Sequence, residues 1–283
     1  MSDIQWFPGH MTKTRRLIEA DLKMVDAVVE VIDARIPQSS RNPIIDEICA
    51  GKPRIMIMNK SDVADDKATA LWKKHFEKQG MTVIVCDCRS GKGLNTFLPA
   101  VKRKLSELIE RRKARGMIGK ALRLMVVGIP NVGKSSFINR MANSKKTKVG
   151  DRPGVTRGKQ WVSIDKDVEL LDMPGILWPK FDDKLVAQRL AFTGAIKDEV
   201  MDTEALARAL GATLVEEYED LFKSRYKISG EGDVLTEIAK ARGMLISGGE
   251  PDTERAAATL LDEFRGGKIG RITLDVPTET NNG

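Results

Sequence analysis

A glycine-rich segment between an apolar strand pattern and an apolar helix pattern carries the clearest chemical signal of the chain. It reads GIPNVGKS at residues 128–135 and matches the phosphate-loop pattern G-x-x-x-x-G-K-[ST] in full. The backbone N–H groups of such a loop turn inward to cradle phosphate, and the following helix N-terminus adds positive potential. Lys134 is predicted to contact the β- and γ-phosphates, and the Ser135 hydroxyl to ligate Mg²⁺. The loop residues predicted to hold the nucleotide are Asn131, Val132, Gly133, Lys134, Ser135 and Ser136.

Two further segments complete a predicted metal and γ-phosphate site. The sequence DMPG at residues 172–175 ends an apolar strand pattern downstream of the phosphate loop. Asp172 can hold Mg²⁺ through water, and the Gly175 N–H can bind the γ-phosphate. Thr156 stands between the two motifs and suits a second Mg²⁺ ligand that engages only when the triphosphate is present.

A third motif predicts which base is bound. NKSD at residues 59–62 follows another apolar strand pattern and matches N-K-x-D. Asp62 can accept hydrogen bonds from N1–H and the exocyclic amine of guanine, a donor pair that adenine lacks, so the site rejects the wrong base. Lys60 can lay its stem along the base, and Asn59 can brace the loops. Cys88 follows the next strand, where a backbone contact to guanine is expected, but the usual Ser-Ala is absent there.

The elements that position these motifs alternate between strand and helix patterns. Strands are predicted at 28–32, 54–58, 82–85, 123–127, 160–164 and 168–171, and helices at 13–25, 66–79, 94–115 and 134–142. This alternation predicts an α/β fold with a mostly parallel sheet that binds ligands at the carboxyl ends of its strands. The order of the motifs is permuted, because N-K-x-D comes first and D-x-x-G last. A circularly permuted P-loop GTPase domain can keep its site whole, since the termini of domains often lie close together.

The pattern changes after residue 178. Apolar spacing becomes helical at 185–194, 204–210, 214–222, 234–244 and 254–264, with glycine and proline between the segments. We therefore predict three parts: a GTPase domain at 1–178, a connector at 179–183, and a small all-α domain with a loose tail at 184–283.

Composition and charge narrow the class of protein. Residues 1–179 hold 33 Lys and Arg against 20 Asp and Glu, whereas residues 180–283 hold 14 against 20. A basic N-terminal part favours a polyanionic partner such as RNA, and a solvated surface is the alternative. The three cysteines, Cys49, Cys86 and Cys88, lack metal-ligand spacing and favour a reducing cytoplasm with buried packing roles. We find no membrane-spanning run and no secretory signal.

At this point the sequence resembles the circularly permuted GTPases, most closely those of the bacterial ribosome biogenesis GTPase A family. The resemblance covers nearly the whole chain. It rests on the three nucleotide motifs together with WFPGHM at 6–11, DARIP at 33–37, PGVT at 153–156 and GKIGR at 267–271. It implies GTP hydrolysis to GDP in late maturation of the large (50S) ribosomal subunit, with rRNA binding and stimulation by that particle. A GTP-dependent switch with a non-ribosomal protein partner is the alternative.

The resemblance also bears on catalysis. Ile176 stands where many GTPases carry a water-orienting Gln, so slow intrinsic turnover is expected. The resemblance implies that His10 places the attacking water, and a helix-cap or packing role is the other interpretation. Lys134 and Thr156, taken from the motifs, complete the predicted catalytic set. Asn131 resembles the K⁺ ligand of potassium-activated GTPases, and a loop-bracing hydrogen bond is the other interpretation. The expected partners are the precursor of the large subunit and its rRNA, with neither membrane nor DNA, and we expect a monomer.

Overall fold

The computed structural model describes residues 8–117, 119–143, 160–177, 183–196 and 202–277. Its centre is one six-stranded sheet with the strand order β3-β2-β1-β4-β6-β5. β5 runs antiparallel to β6, and the other neighbouring strands are parallel. The strands are β1 Ala27–Asp33, β2 Arg54–Asn59, β3 Thr82–Val85, β4 Leu122–Val127, β5 Gln160–Asp165 and β6 Val168–Asp172. The predicted mostly parallel α/β sheet is confirmed.

Burial explains the apolar strand patterns. Every residue of β1 is buried, and β2 and β4 each contain only one residue that is not buried. Strands covered on both faces read as continuous apolar runs, which is what these sequences show. Glu30 interrupts the apolar run of β1, and Arg41 and Arg54 form ion pairs with its buried carboxylate.

Helices pack around this sheet and continue beyond it. The first six are α1 Pro8–Leu22, α2 Pro43–Ile48, α3 Asp66–Lys78, α4 Phe97–Lys104, α5 Ser106–Ala114 and α6 Lys134–Asn143. The last five are α7 Lys184–Phe192, α8 Thr203–Glu217, α9 Glu219–Tyr226, α10 Val234–Arg242 and α11 Thr253–Arg265. The described residues contain no helix long and apolar enough to cross a membrane.

Two predictions of where one helix ends and another begins are wrong. The helix predicted at 94–115 is a 3-10 turn, Leu94–Thr96, followed by α4 and α5, which separate at Leu105. Leu105 is buried, whereas α5 contains no buried residue, so the break lets α5 leave the core. Conversely, Gly211 does not divide two helices but lies inside α8. A Cβ at Gly211 would come 2.7 Å from Val234 Cγ1, so the glycine permits close packing of α10.

The chain returns to the sheet after its last helix. Residues 267–275, which we call the C-terminal strap, cross the loops that follow β1 and β2. The Ile272 N–H donates to Val63 O over 3.0 Å, and the Leu274 N–H donates to Arg35 O over 2.7 Å. The strap thus fastens the C-terminal helices to the carboxyl edge of the sheet, a contact that the sequence analysis did not predict.

Candidate nucleotide-binding site

The five mutually parallel strands all end at one edge of the sheet. The segments with predicted chemistry follow these strand ends: NKSD after β2, Cys88 after β3, the phosphate loop after β4 and DMPG after β6. The permuted order along the sequence therefore does not separate the motifs in space, because parallel strands deliver their carboxyl ends to the same place.

The phosphate loop has the backbone that its sequence demands. Gly128 and Gly133 have positive φ, and Asn131 lies in the left-handed region at φ 60°, which asparagine tolerates better than most residues. A Cβ at Gly128 would lie 2.4 Å from Val31 O, and one at Gly133 would lie 2.2 Å from Asn59 Nδ2. These two glycines are therefore required both for the turn and for close approach to the neighbouring strands.

Lys134 lies beneath this loop at the start of α6. Its side chain is buried, and its ammonium group donates to Ile129 O over 2.8 Å. Burial lowers the pKa of Lys134 to about 8, and the nearby Asp172 carboxylate opposes that shift. Burial likewise raises the pKa of Asp172, with Lys134 opposing. The two groups therefore form a weakly solvated pair of opposite charge at the place where phosphate and metal are predicted.

The D-x-x-G segment packs tightly on the phosphate loop. A Cβ at Gly175 would lie 2.8 Å from Pro130 N and 2.9 Å from Lys134 Nζ, so only glycine fits. The next residue is fixed at both backbone groups: the Ile176 N–H donates to Gly128 O, and Ile176 O accepts from Asn42 Nδ2 over 2.9 Å. Asn42 also caps α2, because its Oδ1 accepts from the Ile44 N–H.

Asn59 joins two loops of the site. Its Nδ2 donates to Val132 O over 2.8 Å, and its Oδ1 accepts the Cys88 N–H over 3.0 Å. The bracing role predicted for Asn59 matches this geometry. Cys88 itself is buried, and its carbonyl accepts from Arg140 Nε over 3.4 Å. Both backbone groups of Cys88 thus have protein partners, and its predicted backbone contact to guanine stays a prediction.

Lys60 and Asp62 differ in how firmly they are held. Lys60 has φ 61°, and its ammonium group lies 2.9 Å from the buried carboxylate of Asp33. Burial disfavours the charged form of that carboxylate, but the positive charges of Arg35 and Lys60 keep the pKa of Asp33 below its usual range. The Asp62 side chain is exposed, and no hydrogen bond or ion pair within the described part of the chain occupies it. Its oxygens are therefore free to accept from a base.

Asn131 connects the phosphate loop to the C-terminal helices. Its Nδ2 donates to Gly194 O, just after α7, over 2.6 Å. Its Oδ1 has no partner among the described residues and remains able to ligate a cation. This hydrogen bond agrees with the bracing interpretation of Asn131. Its partner, however, lies in the helical part of the chain, which the sequence did not predict.

The described residues offer a small donor set for Mg²⁺. Ser135 is exposed in the first turn of α6, and Asp172 ends β6 beside β4. Within the described ranges no group of three or more His, Cys, Asp or Glu side chains could hold a metal by itself. One carboxylate and one hydroxyl suit Mg²⁺, which in nucleotide sites is held partly by phosphates and water. Thr156 and the connector residues 179–182 lie outside the described residues, as does the side chain of His10.

Three positioning residues escaped the motif analysis. Asp33 holds Lys60, Arg35 orients the Asp33 carboxylate, and Asn42 holds the carbonyl after Gly175. Asp33 and Arg35 belong to DARIP at 33–37, which contributed only to the resemblance. A charged residue directly after the predicted strand at 28–32 was the available signal for Asp33.

Comparison with known proteins agrees with this geometry. The family model described as 50S ribosome-binding GTPase matches residues 123–220. Ribosome biogenesis GTPase A of Bacillus licheniformis is 46% identical over 280 residues, which cover 98% of this chain and 99% of that protein. The chain belongs to the ribosome biogenesis GTPase A family. The Thermotoga maritima member of this family is 33% identical over 98% of the chain and 95% of its own length.

A solved structure extends the match to three dimensions. The GNP-bound YlqF of Thermotoga maritima superposes with a TM-score of 0.66 at 31% identity, covering 94% of this chain and 99% of that one. The circularly permuted P-loop GTPase fold and the GTPase activity predicted from the motifs are thereby confirmed. Membership of the ribosome biogenesis GTPase A family also assigns the chain to ribosome biogenesis.

Proposed function

We propose that this GTPase acts in late maturation of the large (50S) ribosomal subunit in the cytoplasm, binds rRNA of the precursor particle, and is stimulated by that particle. The observation that carries the proposal is the convergence of the permuted motifs at one sheet edge in a chain similar over its full length to ribosome biogenesis GTPases. The matching family model, described as a 50S ribosome-binding GTPase, supports the choice of subunit.

Each proposed nucleotide contact is assigned to a segment at the carboxyl end of a strand. The phosphate loop and Lys134 hold the phosphates, Ser135 and Asp172 ligate Mg²⁺ with Thr156 as the further ligand, and Gly175 contacts the γ-phosphate. Asp62 reads guanine while Lys60 covers the base and Asn59 braces both loops. Asn131 remains a candidate K⁺ ligand through Oδ1. The proposed phosphate-binding residues are Asn131, Val132, Gly133, Lys134, Ser135 and Ser136.

Hydrolysis by the free protein should be slow. Ile176, the residue after D-x-x-G, is buried, and its aliphatic side chain cannot orient a water molecule. GTPases without an externally supplied group turn over slowly, and activators accelerate them by large factors. We propose that docking on the large-subunit precursor supplies what is missing, with His10 as the residue that places the water.

The basic surface of α4 and α5 supports an RNA partner. Arg103, Arg111 and Arg115 are exposed there, and none forms an ion pair within the described part of the chain. Unpaired surface cations of this kind neutralise phosphates and release counterions on binding. With few aromatic side chains available for stacking, the expected contacts are to the RNA backbone.

The direct experiment compares GTP hydrolysis with and without purified large-subunit precursors, first in K⁺ and then in Na⁺. We expect strong stimulation by the particle and a further dependence on K⁺ if Asn131 binds that ion. His10→Ala should lose the stimulation while GTP-dependent binding to the particle persists. Stimulation by a non-ribosomal protein instead, with none by the particle, would favour the switch with a protein partner.

The guanine assignment has its own test. Asp62→Asn places an amide donor opposite N1–H, so GTP should bind more weakly and xanthosine triphosphate more tightly. Competition binding with the two nucleotides measures this exchange. Because Asp62 is exposed and makes no structural contact, the variant should melt like the wild type, and unchanged GTP affinity would refute the assignment.

A further inference from the structure

The C-terminal strap makes its densest set of contacts with the loop that carries Asp62. We call this loop, residues 60–66, the guanine loop. The strap and the loop are separated by about two hundred residues in sequence, and their contacts are made largely to backbone groups of the loop.

Arg271 clasps the guanine loop on both sides of Asp62. Its Nη2 donates to Ser61 O over 2.7 Å, and its Nε donates to Ala64 O over 2.9 Å. The same guanidinium pairs with Asp66. A planar guanidinium with several fixed donors can span two carbonyls at a set separation, which a lysine ammonium cannot do.

The neighbouring strap residues form further hydrogen bonds with the guanine loop. The Ile272 N–H donates to Val63 O, and Thr273 Oγ1 accepts the Asp65 N–H over 3.1 Å. Gly267, at φ 70°, packs so closely that an added Cβ would lie 2.3 Å from Val63 Cγ1. The backbone of the guanine loop is thus bonded to the strap from Ser61 to Asp65, while the side chain of Asp62 faces solvent.

The strap also grips the loop after β1, where Lys60 is anchored. Thr273 Oγ1 donates to Ala34 O, and the Leu274 N–H donates to Arg35 O. Arg35 in turn contacts the Asp33 carboxylate that holds Lys60. One segment therefore sets the position of both side chains proposed to contact guanine.

We propose that the C-terminal strap is a positioning element for guanine recognition, with Arg271 as its principal residue. The inference deepens the proposed function, because it rests on Asp62 as the reader of the base. Two directional hydrogen bonds from N1–H and the exocyclic amine require the Asp62 carboxylate to be held within a few tenths of an ångström. A short exposed loop does not supply that order by itself, and the clasp across Ser61 and Ala64 does.

The experiment measures the affinity of the full-length protein for GDP and for IDP by titration calorimetry. Inosine lacks the exocyclic amine of guanine, so the ratio of the two dissociation constants reports how well Asp62 is placed. We expect wild type to prefer GDP. Arg271→Ala should bind GDP about tenfold more weakly, roughly 1.4 kcal/mol, and lose much of its preference over IDP. Arg271→Lys should fall between the two.

Lys268→Ala is the matched control. Lys268 lies in the same strap, is exposed, and forms no side-chain hydrogen bond or ion pair with the described residues, so its loss removes the same charge without releasing the loop. It should leave both affinities unchanged. The Arg271 side chain is itself 44% exposed, so Arg271→Ala should fold, and the melting temperature checks this.

The outcomes separate the two assignments. If Arg271→Ala weakens GDP and IDP equally, so that the ratio stays at the wild-type value, the strap is only structural and the proposal is wrong. A wild type that does not distinguish GDP from IDP would instead overturn the role of Asp62.

Discussion

At the scale of single residues, the groups named by the motifs depend on side chains that brace them, and two of these, Asp33 and Asn42, lie outside the nucleotide motifs. Asn59 bridges two loops, Asp33 holds Lys60, and Asn42 holds the backbone after Gly175. Each of these contacts fixes a group whose direction matters for binding a nucleotide. Preorganisation of this kind is what lets a few hydrogen bonds discriminate strongly between ligands.

The environment of Lys134 leads to a pH prediction. Burial lowers its pKa to about 8 in the nucleotide-free protein. Bound phosphates add negative charge and raise that pKa, so below about pH 8 Lys134 is protonated in both states. Above it, binding must take up a proton, and affinity for GDP should fall by up to about tenfold per pH unit.

Titration calorimetry at about pH 9, in two buffers of different ionisation enthalpy, measures the proton uptake directly. The same pair of titrations at about pH 7 is the control and should show little uptake. Equal heats in both buffers at the higher pH would contradict the expectation for Lys134.

At the scale of elements, Gly211, which the sequence predicts to end a helix, lets two helices pack closely. Gly211 lies in the middle of α8 facing Val234 at the start of α10. Glycine in a helix interior is intrinsically unfavourable by about 1 kcal/mol relative to alanine. The close contact between the two helices therefore compensates for this cost.

Gly211→Ala tests the packing. Despite the better helix propensity, we expect the variant to be destabilised by about 1–3 kcal/mol, because Val234 is β-branched and cannot turn away freely. Chemical denaturation measures the change. The double variant Gly211→Ala with Val234→Ala removes the collision and should show a favourable coupling energy, whereas simple additivity would contradict the contact.

At the scale of the whole molecule, the C-terminal helices are attached to the nucleotide region by more than the connector. Asn131 donates to Gly194 O, and the strap crosses the sheet edge. A change in the phosphate loop therefore has a direct physical route to the helical part, which is a requirement for coupling between two sites.

The basic surface gives a prediction at the same scale. Arg112 pairs with Asp26 in a half-buried position, so it supports the fold and is unsuitable for a binding test. Charge reversal of Arg103, Arg111 and Arg115 should instead weaken binding to large-subunit particles. It should also make the salt dependence shallower, by roughly 0.7–0.9 in log-log slope for each phosphate that the variant no longer neutralises.

Co-sedimentation with particles at several salt concentrations measures both effects. Charge reversal of Lys240, Arg255 and Lys268 is the matched control, because these exposed residues carry the same total charge on the C-terminal part of the chain. Equal weakening in the two triple variants would show that net charge alone drives the association.

The sequence by itself predicted the nucleotide chemistry, because each motif is a short local pattern whose residue types suit phosphate, metal or base. It also determined most strands, since burial on both faces leaves continuous apolar runs. Only the tertiary structure decided that the C-terminal strap lies on the guanine loop and that Asn131 reaches Gly194. Such contacts end on backbone groups of residues far apart in the chain, and any residue type offers those groups, so no local pattern records them.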